Sequence, residues 1–245
     1  KLTPGAFSAA LGQSFFSLSL GVGTMLTYSS YVSKNENLIV SGAGTAVSDL
    51  IFAMLAGFAI MPAVFAAGIA PSAGPGLVFE TLPYIFAKMG AGGQIVSSLV
   101  AILFFLTILV AALTSSISIL EVGVAYLVEE KGVSRHKATV ALFFATFVVG
   151  ILCSLSFGLL SDVRILGESI FNFCDKMCSN YLMTLGAFLF SVFVGWKMDK
   201  KTVRDELTNG GSLKLNNKLF PVVYFLIRYV APVTIAVIFI TGLVG

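Results

Sequence analysis

Apolar residues run along this chain in membrane-length blocks broken by short polar turns. Because roughly 20 apolar residues cross a bilayer as a helix, the blocks predict six spans, at about 11–31, 38–69, 93–128, 138–158, 166–196 and 219–245. The third is too long for a perpendicular crossing and fits a tilted helix that extends past the membrane. Between the second and third, residues 70–92 hold Pro71, Pro75 and Pro83 around the amphipathic LVFETLPYIFAKM, which reads as a structured external loop or re-entrant hairpin. Ser134 is placed to cap the fourth span. The polar residues from Asp162 to Lys176 read as the outer end of the fifth helix. Pro221 costs little near the start of the last span, whereas Pro232 lies mid-span and predicts a kink.

One block is written against continuous helix. In LGQSFFSLSLGVGTMLTYSSY, Leu11 to Tyr31, the middle Ser17-Leu18-Ser19-Leu20-Gly21-Val22-Gly23 carries two glycines and two serines. Gly costs about 1 kcal/mol against Ala in a helix, and Ser hydroxyls compete for backbone partners. Two readings are open: close helix packing through small residues, or a break whose freed carbonyls and hydroxyls hold an ion or a polar ligand.

Composition settles the class. With 57% hydrophobic and 11% charged residues, against about a quarter charged in soluble domains, this is an all-α, polytopic membrane protein embedded in a lipid bilayer. The net charge of +3 is small and its cations lie in separate turns, so no nucleic acid is expected as a partner. Those cations orient the chain. Lys34, then Lys131, Arg135 and Lys137, then Lys197, Lys200, Lys201, Arg204, Lys214 and Lys218 occupy alternate loops, against Lys88 and Arg164 on the opposite side. The positive-inside rule places the first group in the cytoplasm, so the opening block runs from outside to inside. Cys153, Cys174 and Cys178 lie in apolar surroundings and suggest no disulfide framework; Cys174 and Cys178, at i, i+4, read as small packing residues. The chain opens at Lys1 with no signal-peptide pattern, and a piece of a longer protein is the expectation.

Ionisable residues inside a span are functional candidates, because a carboxylate near mid-bilayer costs at least about 2.5 kcal/mol. Asp49, near mid-depth, calls for a cation, a proton or strong donors. Glu121 falls on the cytoplasmic half of its span, where a hydrogen bond inside the bundle suits it better. Ala111-Ala112-Leu113-Thr114-Ser115-Ser116 offers hard oxygen donors, although Ser and Thr in membrane helices commonly bond the preceding turn. Asn172 and Asp175 read as gating or interfacial residues and His136 as a solvated loop residue; Gly21-Val22-Gly23 lacks the strand a nucleotide fingerprint needs.

Taken together, GQSFFSLSLGVGTMLTYSSY, SDLIFAMLAGFAIMP, AALTSSISILE and NNKLFPVVYFLIRYVAP resemble the neurotransmitter:sodium symporter family in its bacterial amino-acid branch. The resemblance covers nearly the whole chain. It implies a leucine-transporter-type inverted-repeat fold with transmembrane helices 6 to 11 present and helices 1 to 5 absent. It implies no enzyme activity but sodium-coupled uptake of an amino acid by alternating access, in a bacterial inner membrane. The alternative is a half-transporter acting as a binding or regulatory subunit, or an inactive fragment.

Residue by residue, the resemblance puts Phe16, Ser17, Ser19, Leu20, Val22, Gly23, Ser115 and Ile119 around the substrate. It assigns Ser17 and Asp49 to one co-transported Na+, and Ala111, Thr114 and Ser115 to a second. Asp175 matches an extracellular gate, and Tyr31 and Glu129 a cytoplasmic one. Asp49 replaces an amide of the leucine transporter, and Ala53 stands where chloride-dependent relatives carry Ser, so chloride is not expected to be required. Val22 replaces a phenylalanine, which widens the pocket and favours a bulky hydrophobic or aromatic amino acid. A complete site would need the missing N-terminal half, since half of an inverted repeat cannot alternate against an absent partner.

Overall fold

The computed structural model describes residues 4–33, 35–66, 68, 76–89 and 94–244. Five of its helical stretches are long and apolar enough to cross a membrane: Leu38–Ala66, Gln94–Glu129, Arg135–Leu155, Ile170–Lys197 and Lys214–Ile240. The opening block instead forms two shorter helices, α1 (Pro4–Ser17) and α2 (Thr24–Tyr31), separated by a break. Large apolar side chains such as Leu103, Phe144 and Leu189 are exposed along the long helices, as a surface that meets lipid or another apolar partner requires.

The chain divides into two compact units. One comprises residues 46–117 and takes in most of α3 (Leu38–Ala66), α4 (Leu82–Met89) and the first part of α5 (Gln94–Glu129). Its core is Val64, Leu82 and Ile85, with Phe86 and Phe104 packed against them edge to face, 5.4 Å between ring centroids. Of the expected loop 70–92, residues 70–75 and 90–92 lie outside the described residues; the rest is helical, a π turn at Leu77–Thr81 running into α4.

The other unit comprises 1–45 and 118–245. Here α6 (Arg135–Leu155) leads through a tight hairpin, β1 (Arg164–Ile165) against β2 (Glu168–Ser169), into α7 (Ile170–Lys176). The polar lead-in expected as the outer end of a helix is therefore a two-stranded turn. Leu166 and Gly167 both adopt positive φ, 51° and 88°, the twist a two-residue hairpin demands. The helix proper starts at Ile170, after Ser169, whose hydroxyl accepts from Asn172 N at 3.3 Å. Ser134 does occupy the N-cap of α6 with extended backbone, but its hydroxyl makes no capping bond.

Beyond α7, α8 (Met183–Val192) packs on α11 (Ala231–Val244), while α9 (Lys200–Thr208) lies against α10 (Lys214–Phe225) through Val203, Phe220 and Tyr224. Two π turns, Phe193–Lys197 and Leu226–Val230, face each other. Pro232 has no N–H to offer the carbonyl of Arg228, four residues back; the Trp196 indole N–H donates to that carbonyl at 2.9 Å. The proline is thus absorbed by a widened turn and a side-chain donor from the neighbouring helix.

Candidate functional site

The break between α1 and α2 is built from backbone. Leu20 N donates to Phe15 O at 2.9 Å and Ser19 N to Phe16 O at 3.0 Å, closing α1 with a Schellman motif in which Ser19 takes the left-handed position, φ 52°. That place usually belongs to glycine, and a left-handed residue with a Cβ costs roughly 1–2 kcal/mol. Gly21 and Gly23 follow with φ 85° and 96°. With three left-handed residues in five positions, residues 19–22 fall outside the α-helical ladders of both helices. Ser17, Ser19, Leu20, Val22 and Gly23 are brought together on this short segment, with Phe16 one residue before it, 53% exposed.

The break docks on α8 backbone to backbone. A Cβ on Gly21 would come within 1.9 Å of Met183 O, and one on Gly186 within 2.2 Å of Gly21 O. Two facing glycines therefore let the backbones of the break and α8 meet. Directly after the break, Thr24 is buried and its hydroxyl has no hydrogen-bond partner among the described residues. A buried hydroxyl left unpaired costs about 1–3 kcal/mol.

From there α2 runs alongside the end of α5. Tyr28 Oη donates to Ser118 Oγ, and Tyr31 Oη to Glu121 Oε1 at 2.9 Å. Residues 28 and 31 meet 118 and 121 in ascending register, so the two helices run parallel. Arg135, at the start of α6, donates from Nη2 to the other carboxylate oxygen of Glu121 at 2.7 Å. Glu121 thereby ties three helices together, its side chain only 17% exposed. Of the expected cytoplasmic gate residues, Tyr31 reaches Glu121, while Glu129 lies exposed at the end of α5 and makes no ion pair among the described residues. The hydrogen bond expected for Glu121 inside the bundle is present, whereas the identity of its partners, Tyr31 and Arg135, and the neighbouring Tyr28–Ser118 bond escaped the sequence.

The remaining candidates sit as follows. Asp49 lies within α3 and is half-buried. Thr114 donates its hydroxyl to Ala111 O at 2.9 Å, which places a hydroxyl and a carbonyl oxygen side by side on one face of α5, with Ser115 next in the chain. Residues 111–117 are exposed in this chain. Ile119, 53% exposed, belongs to the unit that contains the break. Asp175 lies exposed in α7 and accepts a hydrogen bond from Ser179 at 3.3 Å. Nearby, the Lys176 ammonium donates to Glu168 at 2.7 Å and holds that carboxyl below the usual carboxylate range.

A model of the sodium:neurotransmitter symporter family matches residues 2–245. An uncharacterized sodium-dependent transporter of Bacillus subtilis is 39% identical over 244 residues, covering 100% of this chain and 52% of its own length. One from Haemophilus influenzae is 40% identical over 244 residues, covering 99% and 51%. The crystal structure of MhsT in complex with L-phenylalanine superposes with a TM-score of 0.84 at 38% identity, covering 98% of this chain and 52% of that one. The chain spans about half the length of the curated relatives it matches.

Proposed function

Because the chain belongs to the sodium:neurotransmitter symporter family, we propose that it provides the helix-6-to-11 half of a sodium-coupled amino-acid symporter whose substrate is bulky and hydrophobic or aromatic. The observation that carries this reading is the broken helix: Ser19, Gly21 and Gly23 hold residues 19–22 out of α-helical pairing, with a buried hydroxyl at Thr24 beside them that has no partner among the described residues. Polar backbone at membrane depth is tolerated where it is buried in protein or lines a cavity, and there it can hold the charged ends of an amino acid. The relative solved with L-phenylalanine supports an aromatic substrate, in keeping with the small Val22.

Na+ enters as cargo. Ser17 with Asp49 would hold one ion, and the carbonyl of Ala111 with the hydroxyls of Thr114 and Ser115 a second, all hard oxygen donors suited to an alkali cation. Sodium would favour the substrate-occluded arrangement, and that difference in affinity between conformations is what couples its downhill entry to uptake. Asp49 would supply the negative charge that makes chloride unnecessary. Phe16 would close over the substrate, Asp175 would gate the outer side, and Tyr31 with Glu129 the cytoplasmic side.

The test is uptake of labelled L-phenylalanine into proteoliposomes holding this chain together with helices 1 to 5. We expect uptake to require an inward sodium gradient, to fall at least tenfold on Asp49→Ala or Thr114→Val, and to survive replacement of chloride by gluconate. Binding that depends on sodium without any uptake would favour the regulatory half-transporter instead. Uptake indifferent to sodium but abolished by Asp49→Ala would point to proton coupling.

A further inference from the structure

Among the described residues, a cluster of nucleophilic side chains outside the candidate site is the group of three free thiols, Cys153, Cys174 and Cys178, near the junction of α6 and α7. Their juxtaposition follows from helix register. At the turn between the two helices Ser156 is buried, and its hydroxyl accepts from Phe171 N at 3.4 Å; Phe157 and Phe171 pack with ring centroids 5.0 Å apart. The helices are antiparallel neighbours, so one turn back from Ser156 and one turn on from Phe171 bring the next facing pair together: Cys153 and Cys174. Register thus sets Cys153 and Cys174 facing each other, and Cys178 follows one further turn along, more exposed than the other two. No group of three or more His, Cys, Asp and Glu side chains among the described residues is arranged to hold a metal, which leaves thiol chemistry.

We propose that Cys153 and Cys174 are a redox modification site, at which oxidation closes a disulfide that staples the end of α6 to α7. The step balances as a thiol–disulfide exchange. Two S–H groups give up two protons and two electrons, one S–S bond forms between Sγ atoms, and a protein or small-molecule disulfide is reduced to its dithiol. Loop charge places this end of α6 on the outer face of the membrane, the compartment in which disulfides persist. Cys178 is a poor partner for Cys174, because residues four apart on one helix hold their Cα atoms about 6 Å apart with parallel Cβ vectors. The staple fixes the segment bearing Asp175, the residue after Cys174, to α6. The disulfide itself does not depend on which solute is carried.

This chain, together with helices 1 to 5 in a membrane, is treated with oxidised glutathione, unreacted thiols are labelled with a maleimide, and the peptides are mapped by mass spectrometry. Cys153 and Cys174 are expected to lose their label together, to appear as one cross-linked peptide pair, and to recover the label after dithiothreitol, while Cys178 stays labelled. Cys178→Ser should leave the cross-link unchanged, and Cys174→Ser should restore full labelling at Cys153. Unchanged labelling of all three thiols, a bond that uses Cys178, or a cross-link seen only after denaturation in detergent would each overturn the proposal.

Discussion

At Gly21 a single side-chain atom decides whether the break can exist. Its positive φ excludes most residues, and a Cβ there would lie 1.9 Å from a main-chain oxygen of α8. Gly21→Ala should therefore lose the folded, monodisperse protein in fluorescence-detected gel filtration. Gly150→Ala, where an added Cβ meets open space, should elute unchanged. Thr24 makes the opposite prediction: its hydroxyl is buried and unpaired, and Thr24→Val should raise stability without substrate by about 1–3 kcal/mol. If the substrate supplies the missing partner, the same variant should show a smaller melting shift on adding L-phenylalanine. A loss of stability both with and without substrate would contradict that assignment.

Among elements, the pairing of the two π turns is the most exposed to test. Trp196→Phe removes the donor to the Arg228 carbonyl and should cost about 1–3 kcal/mol, read as a lowered melting temperature. Pro232→Ala in that background restores a main-chain N–H four residues on from Arg228, and should recover part of the loss; additive damage would mean the indole bond is incidental. The β1–β2 hairpin offers a pH test. Lys176 depresses the Glu168 carboxyl, so their bond adds stability above the ordinary carboxylate pKa and loses it as pH falls through the lowered value. Amide exchange in the hairpin, corrected for intrinsic rates, should thus speed up below about pH 4, and Lys176→Met should remove that dependence.

For the whole molecule, the long apolar blocks, the polar turns between them and the Gly/Ser interruption were all legible beforehand, because bilayer insertion depends on local composition and length. Less legible were features created by contact. Arg164–Ser169 folds as a hairpin, since Leu166 and Gly167 accept the left-handed turn that composition alone disguised as a helix end. Glu121 gave no sign of its partners, which come from α2 and from the start of α6. Asn216, at the start of α10, is buried and donates to Asn37 Oδ1 at 2.8 Å and to Leu207 O at 2.7 Å, contacts that no local pattern announces. In this way the first polar turn is tied to the last.

By itself the sequence determined the membrane class, the weak point in the opening apolar block and the family likeness. Each of these depends on residues close together in the chain or on a pattern read along it. Tertiary structure alone decided that Gly21 meets Gly186, that Tyr31 and Arg135 converge on Glu121, and that Trp196 repairs the defect left by Pro232. Those partners are distant in the chain, and what joins them is the need of buried polar groups for hydrogen bonds and of close-packed backbones for room.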